Sequence, residues 1–226
     1  GLPLIIHEQN AVLGMTNRYL SKVANKTLLA FPLFKEGKNF NVVGNPVRQD
    51  ILSLHGSSKR TLNAESKFRL LVIGGSLGAK ALNDALPSIF TELAKSFDLE
   101  VLHQAGKDKA EPVKTEYGKL IAEKALTNFD IEVKEFIDDI PAQFAHADLV
   151  ICRSGALTVS ELAASKNVGV FVPLPHAVDD HQTANANWLV EADAGILVPQ
   201  SEMDIKMLVV LKQLLTEPSK INTMQQ

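Results

Sequence analysis

The stretch Leu70-Leu71-Val72-Ile73-Gly74-Gly75-Ser76-Leu77-Gly78-Ala79 decides the fold. The apolar run ending in β-branched Val72 and Ile73 reads as a short strand buried on both faces. Gly74, Gly75 and Gly78 break it, and a helical pattern follows over 79–96. Strand, glycine-rich turn and helix make a ready anion site. Glycines let backbone N–H groups approach without a Cβ in the way, and a helix start adds unpaired donors. A nicotinamide-type fingerprint would need glycines at 74, 76 and 79, but Ser76 and Ala79 stand there. A Walker A loop needs Gly-Lys-Ser/Thr, and here Gly78-Ala79-Lys80 stands. The loop therefore suits a diphosphate under neither code, and a plain tight turn is the competing reading.

Working outward, apolar runs recur at 99–102, 131–133, 149–151, 168–172 and 195–198. Helical patterns fall at 109–124, 140–147, 158–165, 183–192 and 202–216. Short strands alternating with helices predict a doubly wound parallel α/β sheet over 66–226, with ligand loops after the strands. Upstream, Leu4-Ile5-Ile6 reads as a strand, 14–23 as a helix, and 27–30 and 40–43 as further strands. Residues 1–50 carry too little apolar surface for a core of their own and read as a chain entered partway through a domain, on a strand. Residues 51–65, rich in Ser, Lys, Gly and Asn, read as a linker or exposed loop.

The chain has 226 residues, 46% hydrophobic and 22% charged, an ordinary globular composition. Its formal charge of -3 provides no global basic field, so nucleic acid is not expected as a partner. The single cysteine, Cys152, cannot form an internal disulfide, which favours a reducing compartment. No apolar run reaches the roughly 18 residues that span a bilayer.

Four further clusters carry chemistry. In Cys152-Arg153-Ser154-Gly155-Ala156-Leu157-Thr158-Val159-Ser160-Glu161, Thr158 and Glu161 have capping-box spacing. The alternative places the Glu161 carboxylate where it accepts from two ribose hydroxyls. Gln182 and Asn185 lie three apart on one helix face, and their amides suit sugar hydroxyls. His176, Asp179, Asp180 and His181 lack a metal-ligand spacing, so no metal and no cofactor are expected. In His7-Glu8-Gln9-Asn10, His7 and Glu8 could do acid/base work, while a helix N-cap is the plainer role. Arg48 in Gly44-Asn45-Pro46-Val47-Arg48 could contact phosphate or sit solvated. Ile137, at the end of a strand, could present its backbone to a flat base, although core packing is the simpler reading. Trp188 reads as core.

Together and in this order, these motifs resemble the bacterial peptidoglycan glycosyltransferases that add GlcNAc to lipid I from UDP-GlcNAc. The resemblance implies a two-lobed GT-B enzyme, of which this chain is a fragment: a complete Rossmann-like C-terminal lobe and the tail of the first lobe. It implies Ser76 and Arg48 at the diphosphate, the Ile137 backbone at uracil, and Ala156, Leu157 and Thr158 lining the donor loop. Glu161 would hold the ribose, Gln182 and Asn185 the GlcNAc hydroxyls, and Asn10 would reach the sugar from the other lobe. Leu77 departs from the family, which often has Gln there, and His181-Gln182 replaces paired glutamines in some members. The implied partners are UDP-GlcNAc, a lipid-linked MurNAc-pentapeptide and, through the absent part of the first lobe, the cytoplasmic face of the inner membrane.

Overall fold

The structure is a computed structural model that describes residues 2–33, 37, 39–175 and 178–226. A small parallel sheet is built from β1 (Ile5–Glu8), β2 (Lys26–Leu29) and β3 (Phe40–Val42), in the order β1-β2-β3. Helix α1 (Met15–Leu20) follows β1, and α2 (Gln49–Leu52) follows β3. The helix read over 14–23 is thus shorter, ending in turns that lead into β2.

The larger sheet contains β4 (Phe68–Ile73), β5 (Leu99–Gln104), β6 (Phe129–Lys134), β7 (Leu149–Cys152), β8 (Val168–Phe171) and β9 (Gly195–Leu197). All pairings are parallel, in the order β6-β5-β4-β7-β8-β9. Between and after the strands run α3 (Lys80–Leu93), α4 (Ala110–Lys124), α5 (Ile140–His146), α6 (Ala156–Ala164), α7 (His181–Val190), α8 (Met203–Thr216) and α9 (Pro218–Met224). The strand order reverses between β4 and β7. That switch point opens a crevice at the carboxyl ends of the strands, where ligands bind in such folds.

Strand alternation sorts the core into two layers. Leu70 and Val72 of β4 pack in one cluster with Leu82, Leu86 and Phe90 of α3 and Met207 and Leu211 of α8. Leu71 of the same strand faces the other cluster, with Phe144 of α5, Val159 and Leu162 of α6, and Leu189 of α7. Phe31 and Ile51, from the first part of the chain, complete this second cluster. The small sheet is therefore seated against the layer that carries α5 to α7.

Residues 51–65 are not the free linker expected from composition. Ile51 is fully buried. Lys59 donates to the Phe144 carbonyl at 2.7 Å, and burial pulls its ammonium down to about 8, partly offset by Asp148. Arg60 grips the buried Asp148 through both Nε (2.8 Å) and NH2 (2.5 Å). The segment also begins with the end of α2 and a 3-10 turn over Ser53–Gly56, and polar composition did not announce the docking, because a lysine or arginine stem packs as well as it solvates. Cys152 is fully buried, which pushes its thiol up to about 12 and makes it unreactive.

Candidate functional site

The loop after β4 is shaped by its neighbour after β5. Gly78 adopts φ +70°, and a Cβ there would lie 2.0 Å from the Ala105 carbonyl oxygen. Gly75 adopts φ +77° with open space where its Cβ would be. The loop carbonyls are tied back toward the β5 side. Gln104 Nε2 donates to the Gly75 oxygen at 3.1 Å, Lys107 N to the Ser76 oxygen at 3.3 Å, and Lys109 Nζ to the Leu77 oxygen. In a trans peptide the N–H points opposite its carbonyl. The N–H groups of Ser76 and Leu77 are thus turned away from that support and have no partner among the described residues. The exposed Ser76 side chain stands on the same loop.

A second set of donors lies one strand away. Helix α6 starts at Ala156 with Gly155 as N-cap, and its first closing bond runs from Val159 N to the Gly155 oxygen. The N–H groups of Ala156, Leu157 and Thr158 are the unpaired donors of this helix start. Thr158 is inside the helix and no side chain caps it, so the capping-box reading of Thr158 and Glu161 fails. The Glu161 carboxylate lies 3.8 Å from Arg48 Nε. Burial raises its pKa; Arg48 opposes that and Asp50 adds to it.

The first part of the chain reaches this edge through three asparagines. Asn45 Nδ2 donates to Ser160 Oγ of α6 at 3.0 Å and to the Gln9 carbonyl at 3.0 Å. Asn185, fully buried in α7, accepts from Ala11 N at 2.7 Å and donates to Asn10 Oδ1 at 3.1 Å and the Ser154 carbonyl at 3.2 Å. Its amide is occupied on both ends. Asn185 therefore joins the two sheets' edges and does not present itself to a sugar hydroxyl, contrary to the expectation. Asn10 stays half-buried, with its Nδ2 3.3 Å from Glu8 Oε1.

Glu8 also departs from the expected acid/base role. Its carboxylate is buried and accepts from Asn10 N (3.0 Å), Gly14 N (2.9 Å) and Asn17 Nδ2 (2.9 Å). Burial alone would raise its pKa, but these hydrogen bonds outweigh it and the net shift is downward. Such a carboxylate is a poor proton acceptor and a good loop anchor. His7 Nε2 lies 3.1 Å from the Gly44 carbonyl, which can only accept. Nε2 is therefore the donor, which in the neutral ring leaves the lone pair on Nδ1.

Gln182 accepts from Leu174 N through Oε1 at 2.9 Å. It shares a cavity of ≈ 370 Å³ with Gly74, Gly78, Lys80, Arg153 and Gln200. Ile137 packs half-buried against the second core cluster, as does Ala156; the Ile137 backbone N–H and carbonyl have no partner among the described residues. Leu157 is exposed. His176 lies outside the described residues. Among the described residues, no group of three or more His, Cys, Asp or Glu is placed to hold a metal, and no helix is long and apolar enough to cross a membrane.

Residues 69–226 match the C-terminal domain of glycosyltransferase family 28. The chain belongs to this family. A Shewanella frigidimarina protein named UDP-N-acetylglucosamine--N-acetylmuramyl-(pentapeptide) pyrophosphoryl-undecaprenol N-acetylglucosamine transferase is 48% identical over 219 residues. That alignment covers 96% of this chain and 58% of the relative. A Pseudoalteromonas translucida protein of the same name is 44% identical, over 99% of this chain and 60% of its own length. The family 28 chain thus spans about three fifths of these relatives. The crystal structure of MurG from Acinetobacter baumannii superposes with a TM-score of 0.83 at 39% identity, over 100% of this chain and 62% of that one. The six-stranded lobe is accordingly a GT-B C-terminal lobe. A kitacinnamycin glycosyltransferase, 17% identical at a TM-score of 0.60, shares the fold.

Sequence reading missed several residues of this candidate site. Gln104 at the end of β5 and Lys109 just before α4 hold the glycine loop, contacts no local pattern announces. Arg153 and Gln200 line the cavity with Gln182. Arg153 carried a signal, since a cation directly after a buried apolar strand has to be placed somewhere at the sheet edge.

Proposed function

We propose that the chain is the donor-binding portion of a transferase that moves GlcNAc from UDP-GlcNAc to the C4 hydroxyl of MurNAc on a lipid-linked acceptor, with inversion. The observation that carries this is the pair of unpaired donor sets flanking the switch point: the Gly74–Gly78 loop after β4 and the α6 start after β7. Two such sets at adjacent strand ends suit the two phosphates of one diphosphate. The printed names of the Shewanella and Pseudoalteromonas relatives support the donor and acceptor.

In this reading charge develops on the departing UDP, and the Ser76 and Leu77 N–H groups, the Ser76 hydroxyl, the α6 start and Arg48 stabilise it. Glu161, whose ionised form is disfavoured by burial, accepts from the ribose hydroxyls and regains partners for its oxygens. The Ile137 backbone reads the uracil edge. Gln182 contacts the GlcNAc hydroxyls with its free amide nitrogen, and Asn10 approaches the sugar from the other side of the cleft. Of the two base candidates His7 is favoured, through Nδ1, because the Glu8 oxygens are already taken. Membrane association at the cytoplasmic face belongs to the parts of the relatives that this chain does not span.

Calorimetric titration with UDP-GlcNAc and UDP-GalNAc tests the donor, and product analysis with lipid I and the full-length relative tests the reaction. Preferential binding of UDP-GlcNAc is expected. Equal or absent binding of both sugars contradicts the donor assignment.

A further inference from the structure

Among the described residues, Arg153 is a cation without a counter-ion. Arg18, Arg48, Arg60 and Arg69 each have a carboxylate within ion-pair range. Arg153 has none among the described residues, although it is only partly exposed and burial lowers its pKa. Leaving a guanidinium half out of water with no anion is costly. The chain nonetheless holds it firmly. NH1 donates to the Val172 carbonyl at 2.9 Å and the Pro173 carbonyl at 3.1 Å, and NH2 donates to Gln200 Oε1 at 2.6 Å.

Those three bonds engage one edge of the guanidinium. A guanidinium carries five N–H donors, so Nε–H and one hydrogen of NH2 remain. None of the three acceptors is charged, so the positive charge is uncompensated. The group lines the same cavity as Gly74, Gly78, Lys80 and Gln182. The fixed cation and the two glycines that bracket the loop, Gly74 and Gly78, thus border one space.

We propose that Arg153 is the fixed positive charge of the donor site, the counter-ion that the diphosphate of a nucleotide sugar meets in this cavity, with Gln200 and the two carbonyls holding it in place beforehand. The inference rests on the donor reading above and assigns the charge that backbone donors alone do not supply. Arg48, exposed and already near two carboxylates, is a weaker source of such charge. A preplaced guanidinium loses little side-chain freedom on binding and favours planar phosphate contacts.

The test is calorimetry of the 226-residue chain, R153Q and R153K with UDP and with uridine, alongside thermal unfolding of each. Uridine keeps the base and ribose and lacks the diphosphate. R153Q is expected to lose roughly ten- to hundredfold in UDP affinity, the span of one or two charge-assisted hydrogen bonds. Its uridine affinity should be unchanged, and R153K should fall between. UDP binding to the unsubstituted chain should weaken with added salt. Equal losses for UDP and uridine would show a structural role and overturn the proposal, as would unchanged UDP affinity in R153Q. Should R153Q not fold, R153K and the salt series decide: R153K equal to the unsubstituted chain, or UDP affinity indifferent to salt, overturns it. Failure of the unsubstituted chain to bind either ligand overturns the donor reading itself, and is seen before any substitution is made.

Discussion

Asn185 Nδ2 donates to Asn10 Oδ1 across 3.1 Å, joining residues 175 positions apart in the chain. The same buried amide accepts from Ala11 N and donates to the Ser154 carbonyl. It fixes the end of β1 against the start of α6, the two sides of the cleft. Asn185→Ala removes the partner of one buried and two part-buried groups and should cost about 2–4 kcal/mol of stability. Asn185→Asp keeps the acceptor for Ala11 but turns a second acceptor toward Asn10 and Ser154, and should be no better. Chemical denaturation of both variants, with Asn10→Ala to complete a cycle, checks this; an Asn185→Ala loss within ~0.5 kcal/mol would show that the clamp carries no weight.

The two left-handed glycines of the Gly74–Gly78 loop should respond differently. Gly75→Ala faces open space and incurs only the backbone cost, about 1–2 kcal/mol. Gly78→Ala must also move the Ala105 carbonyl, which its Cβ would meet at 2.0 Å. Moving that carbonyl shifts the whole loop, so UDP affinity should fall in Gly78→Ala well beyond any loss in Gly75→Ala. Calorimetry with thermal unfolding separates the two, and identical behaviour would contradict the buttressing from β5.

Glu8 should govern acid stability of the β1 exit. Its folded pKa is lowered, so its contribution is present above the unfolded carboxylate pKa and lost as pH falls through the folded value. Glu8→Gln sets an amide nitrogen against the Gly14 and Asn17 donors and should cost about 2–3 kcal/mol near neutrality. The gap between variant and parent should close as the solution is acidified. A pH series of denaturation midpoints tests it, with a constant gap as the opposing result.

Glu161 shifts the other way. Its folded pKa is raised by burial, against the pull of Arg48, so its proton is held more tightly in the fold. Its stability contribution is full below the unfolded pKa and is lost as pH rises through the folded value. Ribose hydroxyls need the ionised form. UDP-GlcNAc affinity should therefore weaken on acidification at a higher pH than an ordinary glutamate would dictate. Glu161→Gln should lose roughly tenfold or more in affinity and abolish that pH dependence. Arg48→Ala should move the dependence to still higher pH.

The six strands of the larger sheet were legible because each is a short apolar run between turn signals, and buried parallel strands need little else. The starts of α6 and α7 were misplaced by two residues for a shared reason. Neither Gly155 nor Asp180 caps its helix with a side-chain hydrogen bond to the backbone, so no side-chain cap marks the true starts, and at α6 the capping-box spacing of Thr158 and Glu161 misled. The conformation of the candidate site was legible where residues act locally, as in the strand, glycine turn and helix around Gly74–Gly78. It was illegible where a residue's partner lies far along the chain. Asn185 has a side chain suited to a ligand, and only the fold shows that Asn10 and Ala11 already use it; the Glu8 partners Asn10, Gly14 and Asn17 are near in sequence, yet only the turn after β1 brings them onto its carboxylate. The Gln104 and Lys109 supports and the missing counter-ion of Arg153 are likewise properties of assembly.

The central claim is that the strand exits of β4, β6, β7 and β8 form one nucleotide-sugar site. Backbone amide NMR shifts of the isotopically labelled chain, followed during addition of UDP-GlcNAc, test it most directly. The largest changes should gather at Gly75, Ser76, Leu77, Ile137, the α6 start from Ala156 to Glu161, and Gln182. Changes centred instead on the opposite ends of the strands, or no saturable change at all, would contradict it.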